Sequence, residues 1–170
     1  MILRRGARLP EHLREHLSDR SHALAELQHG SWSAVTARAL VILTTVEGGE
    51  VEVSSAAWHE LEHGSWDGEE GVLTLTWIDR ARPQLVLTPA HERVEAFTAA
   101  VRERIQSSVV HTEHGTTPSG ASIRAYIRRD DRGELLSQVT ATGRLGTDPS
   151  EAEVVDEVER RAREAVGLPT

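Results

Sequence analysis

Hydrophobic and polar residues alternate with the period of strands over most of this chain, and three stretches break that rhythm with the period of a helix. The first follows Pro10: EHLREHLSDR, with Leu9, Leu13 and Leu17 spaced by four on one face, predicts a short helix with proline at its start and Glu11 in its first turn. Its apolar stripe is narrow, so it is expected to lie on the body of the protein or on a second copy of it. From about residue 23 the strand pattern takes over. WSAVTA and RALVILTTV are rich in Val, Ile and Thr, and EGGE is a two-glycine turn into EVEVSS, where Val51 and Val53 alternate with Glu. AAWHELEH reads as a strand with Trp58, Glu60 and Glu62 on one face and His59, Leu61 and His63 on the other. VLTLTWI sets Leu73, Leu75 and Trp77 against Thr74 and Thr76, and QLVLT follows an Arg-Pro turn. Strands this frequent, with turns this short, predict an antiparallel sheet that curls into a barrel or sandwich.

The second helical stretch is TPAHERVEAFTAAVRERIQSSV. Thr88 can cap it, Pro89 suits its first position, and Val94, Phe97, Val101 and Ile105 form its apolar stripe. After it, SVVHTEHG, ASIRAYIRR and ELLSQVTATG read as a three-strand meander, with turns at TTPSG and DDRG. The third helix, DPSEAEVVDEVERRAREAVG, is capped by Asp148 or Ser150. It carries acids in its first half and Arg160, Arg161 and Arg163 near its end, and Gly167 stops it.

A row of strands closed off by one amphipathic helix resembles a bacterial pleckstrin-homology-like (PH-like) domain over about residues 23 to 108. The resemblance rests on the order of elements. It implies an α+β fold: seven antiparallel strands in two near-orthogonal sheets, a PH-like β-barrel or sandwich, with the helix of residues 89 to 106 plugging one end. Residues 1 to 22 form an N-terminal helical segment, and residues 109 to 170 an appended unit of three strands and a helix. Members of this family mostly bind ligands or partner proteins and are seldom enzymes. Those that bind phosphoinositides use a Lys and Arg cluster between the first strands. Here that region offers Arg38 alone before an acidic stretch, which argues against lipid binding.

Composition narrows the partners further. The 170 residues suffice for one ordinary domain with a small appended unit. Cysteine is absent, so thiolate metal sites, disulfides and thiol nucleophiles are excluded. All 19 basic residues are Arg, a bias that suggests an actinobacterium-like source. A net charge of -8 repels nucleic-acid phosphates and anionic membranes unless a local basic patch intervenes. The candidate patches are Arg4, Arg5 and Arg8, and Arg124, Arg128, Arg129 and Arg132. No secretory leader and no membrane-spanning run is read from the pattern, so a cytoplasmic protein is the expectation.

Nine His residues make metal chemistry worth testing, and His29, His59, His63 and His114 are the candidate ligands for a zinc-type hydrolytic site. None sits in a specific motif, and turn or surface positions are their ordinary role. Glu60 and Glu62, two apart on one expected strand, could serve as an acid and base pair or as part of an acidic docking rim. Trp32 and Trp66 could line a groove, and Arg124 and Arg128 flank Tyr126 on a strand expected to carry a solvated Arg face. No phosphate-cradling loop or nucleophile elbow is present. The chain therefore reads as a non-enzymatic binding or assembly module, self-associating or holding another protein, without a cofactor and without nucleic-acid or membrane partners. A His-based metal-dependent hydrolase is the alternative. The hexapeptides LQHGSW (27 to 32) and LEHGSW (61 to 66) look like one strand-ending turn used twice, with His29 and His63 at strand ends and Gly30 and Gly64 allowing a bend.

Overall fold

Most of the alternating segments are strands in the computed structural model, which describes residues 8–91 and 94–170. Arg4 and Arg5 of the expected basic patch lie outside the described residues. The chain divides into two compact units, Met1–Gln106 and Ser107–Thr170.

The first unit opens with helix α1 (Glu11–Arg14), a single turn. Its stripe buries Leu13, which is 1% exposed, and together with Leu9 this residue packs on Trp32 and Leu43. The expectation that the segment lies on the body of the protein holds, and the surface it covers is one face of the first sheet. That sheet is antiparallel in the order β1 (Ala23–Glu26), β2 (Trp32–Val35), β3 (Ala39–Thr45), β4 (Val51–Ala57). Trp32 pairs with Leu43 and Leu43 with Val53, so these three share the helix-covered face. The opposite face carries Ala25, Leu40 and Ala56 into the main core. A second sheet runs β5 (Leu61–Asp67), β6 (Val72–Trp77), β7 (Leu85–Leu87) and contributes Leu61, Leu73, Leu75 and Leu87 to that core. Helix α2 (Glu95–Ser108) adds Phe97, Val101 and Ile105 from one face, the stripe its spacing predicts.

Four strands, three strands and a helix therefore follow one another as expected, but no closed barrel is found among the described residues. The sheets meet at a seam. Gln28 N–H donates to the Thr88 carbonyl and Ala90 N–H to the Glu26 carbonyl, each at 2.8 Å, around a bridge between Leu27 and Pro89. This seam also corrects the predicted start of α2. Thr88 and Pro89 do not cap and open the helix; they extend the path of β7 to pair with the end of β1, and the helix begins at Glu95. Proline fits there because the bridge takes its hydrogen bonds from the flanking residues. A second correction falls at residues 58 to 60. The expected continuous strand through AAWHELEH is broken by a 3₁₀ turn at Trp58–Glu60, which buries Trp58 and Leu61 together. The Trp58 indole N–H donates to the Thr36 carbonyl at 3.1 Å, so the corner is fixed by a ring that needs a partner when buried.

The second unit is β8 (Val109–Thr116), β9 (Ser122–Arg129) and β10 (Leu135–Thr142) in the antiparallel order β10-β9-β8, with α3 (Pro149–Ala165) across one face. Ile123, Ala125 and Ile127 of β9 meet Val158 and Ala162 of α3. Asp148 caps the helix, accepting from Ser150 N–H at 2.9 Å, and Pro149 follows it. At the far end Gly167 has φ 74°, and its N–H and that of Leu168 return to the carbonyls of Glu164 and Arg163. No helix of the described residues is long and apolar enough to cross a membrane.

Candidate functional site

The two hexapeptides take different structures. At LQHGSW the chain turns: Gln28–Gly30 is a 3₁₀ turn with His29 at φ 61° and Gly30 at φ 73°. At LEHGSW it stays extended, because His63 and Gly64 lie inside β5 opposite Thr76 and Leu75, just after an irregularity in the register. The glycines consequently do different work. Gly30 has open space around it and is needed for its left-handed backbone. At Gly64 a Cβ would come within 2.9 Å of Leu75 Cδ2 and meet Leu73 and Val101, so there the missing side chain lets the sheet and the core close up. The identical sequence HGSW is read by its surroundings, and the expectation of one design used twice is overturned.

The other sequence candidates are dispersed within their units. In the first unit His29 tips its turn, His59 is half-buried in the 3₁₀ corner, and His63 is exposed on the outer side of the second sheet. In the second unit His114 is exposed on β8. No group of three or more His, Asp or Glu that could hold a metal occurs among the described residues. Glu60 accepts from Ala57 N–H at 3.2 Å and lies 3.4 Å from Arg82, while Glu62 pairs with Arg80. Arg82 stacks on the Trp77 ring, 3.4 Å from its centroid. These carboxylates thus clamp the turn that follows β6. Farther along the acidic stretch, Asp67 accepts from the amides of Glu69 and Glu70 at 2.9 and 3.0 Å and so shapes its own hairpin turn. Trp32 is buried at 8% exposure under the N-terminal helix, and Trp66 is half-buried against the main core. Arg38 holds Asp19 in a two-pronged pair at 2.9 and 3.0 Å. On β9 Arg124 is exposed, but Arg128 is 1% exposed, so the strand does not present the continuous solvated Arg face that its sequence suggests.

What the structure does assemble in the first unit is a cleft of about 330 Å³ beside the seam, within the size range of small-molecule and peptide sites. Ile42 and Leu85, both half-buried, supply apolar surface, and His29, Gln28 and Ser31 line its polar side. Ser31 is tied by its hydroxyl to that of Thr44 at 3.1 Å. The cleft exists because β1 and β7 are bonded at residues 26 to 28 and 88 to 90 and diverge beyond them: β1 leaves into the His29 turn, while β7 continues beside β6. Val86 lies on this open edge. The Thr88 carbonyl points toward β1, and strand alternation directs the N–H and C=O of Val86 the same way, into the cleft. Its side chain is 54% exposed.

Ile42, Leu85 and Val86 carry no functional signal in sequence. The available hint was QLVLT itself, a strand apolar on successive positions that a one-sided sheet would not require. Neither a protein-family model nor a curated protein sequence matches the chain. The arrangement defines a mixed α+β protein with a bounded apolar cleft at an open strand edge.

Proposed function

We propose that this chain is a non-enzymatic binding module that acts through protein–protein contacts, with the cleft between the His29 turn and β7 as its contact site on the first unit. One observation carries the reading: the backbone of Val86, on the side of β7 that has no neighbouring strand there among the described residues, sits beside the apolar surface of Ile42 and Leu85 and the polar groups of the turn. An extended segment of a partner protein can pair with the first and bury the second, the mode in which main-chain bonds give affinity and side-chain pockets give specificity. The succession of four strands, three strands and a helix supports a PH-like reading of the first unit. The all-Arg basic complement supports an actinobacterial source, and a cytoplasmic location goes with this reading. His29 held at φ 61° adds to it, since strained backbone gathers at ligand-binding turns.

The test is a photo-crosslinking amino acid placed at Val86, with captured proteins identified by mass spectrometry and compared with those captured by the same protein carrying Ile42→Glu. The reading expects a discrete partner, or a second copy of the chain, that Ile42→Glu loses. Capture that is unchanged by Ile42→Glu, or no capture together with a strict monomer in sedimentation, would sink it.

A further inference from the structure

Among the described residues the order β10-β9-β8 leaves one long side of β8 without a neighbouring strand. Which backbone groups occupy that side follows from bonds already made. Thr117 N–H donates to the Ala121 carbonyl across the hairpin at 2.9 Å. Residues of an antiparallel strand alternate between bonding to one side and to the other, and pairing is regular from His111 to Thr116. Glu113 and Gly115 therefore bond to β9, while Thr112, His114 and Thr116 turn their N–H and C=O groups to the open side. An independent contact agrees: Arg161 of α3 donates to the His114 carbonyl at 2.9 Å.

Helix α3 overhangs this side, because it packs more closely on β8 and β9 than on β10. Between α3 and the end of β8 runs a groove of about 640 Å³. Its apolar part is Val154 and Val158 above Gly115, and its charged wall is Glu153, Glu157 and Arg161. Arg161 is already engaged with the His114 carbonyl and lies 3.9 Å from both Glu113 and Glu157. Glu157 is held by Arg160 in a two-pronged pair at 2.7 and 2.9 Å, so the charge that an incoming strand would meet is chiefly the exposed carboxylate of Glu153. A second copy of β8 fits this wall badly, since antiparallel self-pairing would bring its own Glu113 to the helix side of the groove.

We propose that the β8–α3 groove of the second unit is a strand-addition site for an extended, basic peptide segment of a partner protein. The segment pairs with Thr112, His114 and Thr116, taking the place of Arg161 at the His114 carbonyl. Its residues on the helix side place Arg or Lys against Glu153 and an apolar side chain against Val154. This site stands independently of the cleft in the first unit.

The probe is a fluorescein-labelled peptide of alternating Val and Arg as long as β8, titrated into the full chain. Saturable, salt-sensitive binding is expected, with new protection of the Thr112, His114 and Thr116 amides in hydrogen exchange. A peptide N-methylated at alternate backbone nitrogens, and the exposed-site variant Glu153→Arg, should each weaken binding by roughly tenfold or more. His114→Pro removes one outward donor and leaves the bonds to β9 in place, and should do the same. If that variant does not fold, the methylated peptide and Glu153→Arg still decide. The proposal is overturned by failure to bind at millimolar peptide, by equal binding of the methylated peptide, or by indifference to Glu153→Arg. Protection confined to residues outside β8 overturns it too, as does a dimer of the free chain that His114→Pro abolishes, which would make a second copy the occupant.

Discussion

A glycine's neighbours decide what the glycine is for, and the two HGSW sites allow a direct comparison. Asn tolerates the left-handed region, so Gly30→Asn should cost less than about 1 kcal/mol. Gly64→Asn must force a polar side chain against Leu75 and Val101, and should cost more than about 3 kcal/mol in thermal or urea unfolding. Similar costs at the two positions would contradict the assigned conformations. Gly115 resembles Gly64, since a Cβ there would fall inside the contact distance of Val158, which is fully buried. Glu151 is the other residue whose role is visible only in the fold. Its carboxylate is buried, and it accepts from the amide and hydroxyl of Ser119, both at 2.7 Å, and from Gly146 N–H at 3.2 Å. Burial pushes its pKa up, but the hydrogen bonds of Thr117, Ser119 and Gly146 outweigh that and hold it below the ordinary 4.5. A depressed folded value means that this carboxylate stabilises the native state above about pH 4.5, and the contribution disappears as pH falls through the folded pKa. Glu151→Gln should therefore lower the melting temperature at pH 7, monitored by Tyr126 in near-ultraviolet circular dichroism. The gap to wild type should close on acidification; a gap independent of pH would show that the charge is not what matters.

At the scale of elements, the N-terminal turn of helix shows how packing sustains a short element. One turn cannot hold itself together by backbone bonds alone. It is kept by Leu9 and Leu13 resting on Trp32 and Leu43. Leu13→Ala should cost about 2–5 kcal/mol and red-shift the tryptophan emission as Trp32 becomes wetter. An unchanged spectrum and stability would mean that the segment is not docked. The second and third helices were legible at their cores and C-terminal ends, whereas the first, expected through EHLREHLSDR, stops at Arg14 after one turn because the sheet offers its stripe only enough surface for Leu9 and Leu13 to be buried. The second was misread where Thr88 and Pro89 offered a good cap and first position. Those residues have a competing partner in β1, and capping preferences of about a kcal/mol yield to a pair of backbone bonds that closes a seam. The same holds at Trp58–Glu60, where burying a large ring overrode strict alternation.

For the whole molecule, net charge is the property that sequence alone makes testable. At -8, with Arg38 tied to Asp19 and Arg128 buried, the chain should show no salt-sensitive binding to duplex oligonucleotides or to phosphatidylserine vesicles at physiological ionic strength. Measurable retention on either would point to a basic surface formed by other Arg residues. The sequence by itself determined the succession of strands and helices, the apolar stripes that face the cores, and the residue types excluded from any site. These are local or periodic properties, set by side-chain alternation and by end signals within a few residues. Only the tertiary structure decided that HGSW turns once and runs straight once, that Arg128 is buried, that Glu60 and Glu62 clamp a turn, and that Val86 and β8 present open edges. Each of these depends on which distant segment lies alongside, since strand pairing and burial are non-local and no short window of sequence encodes the neighbour.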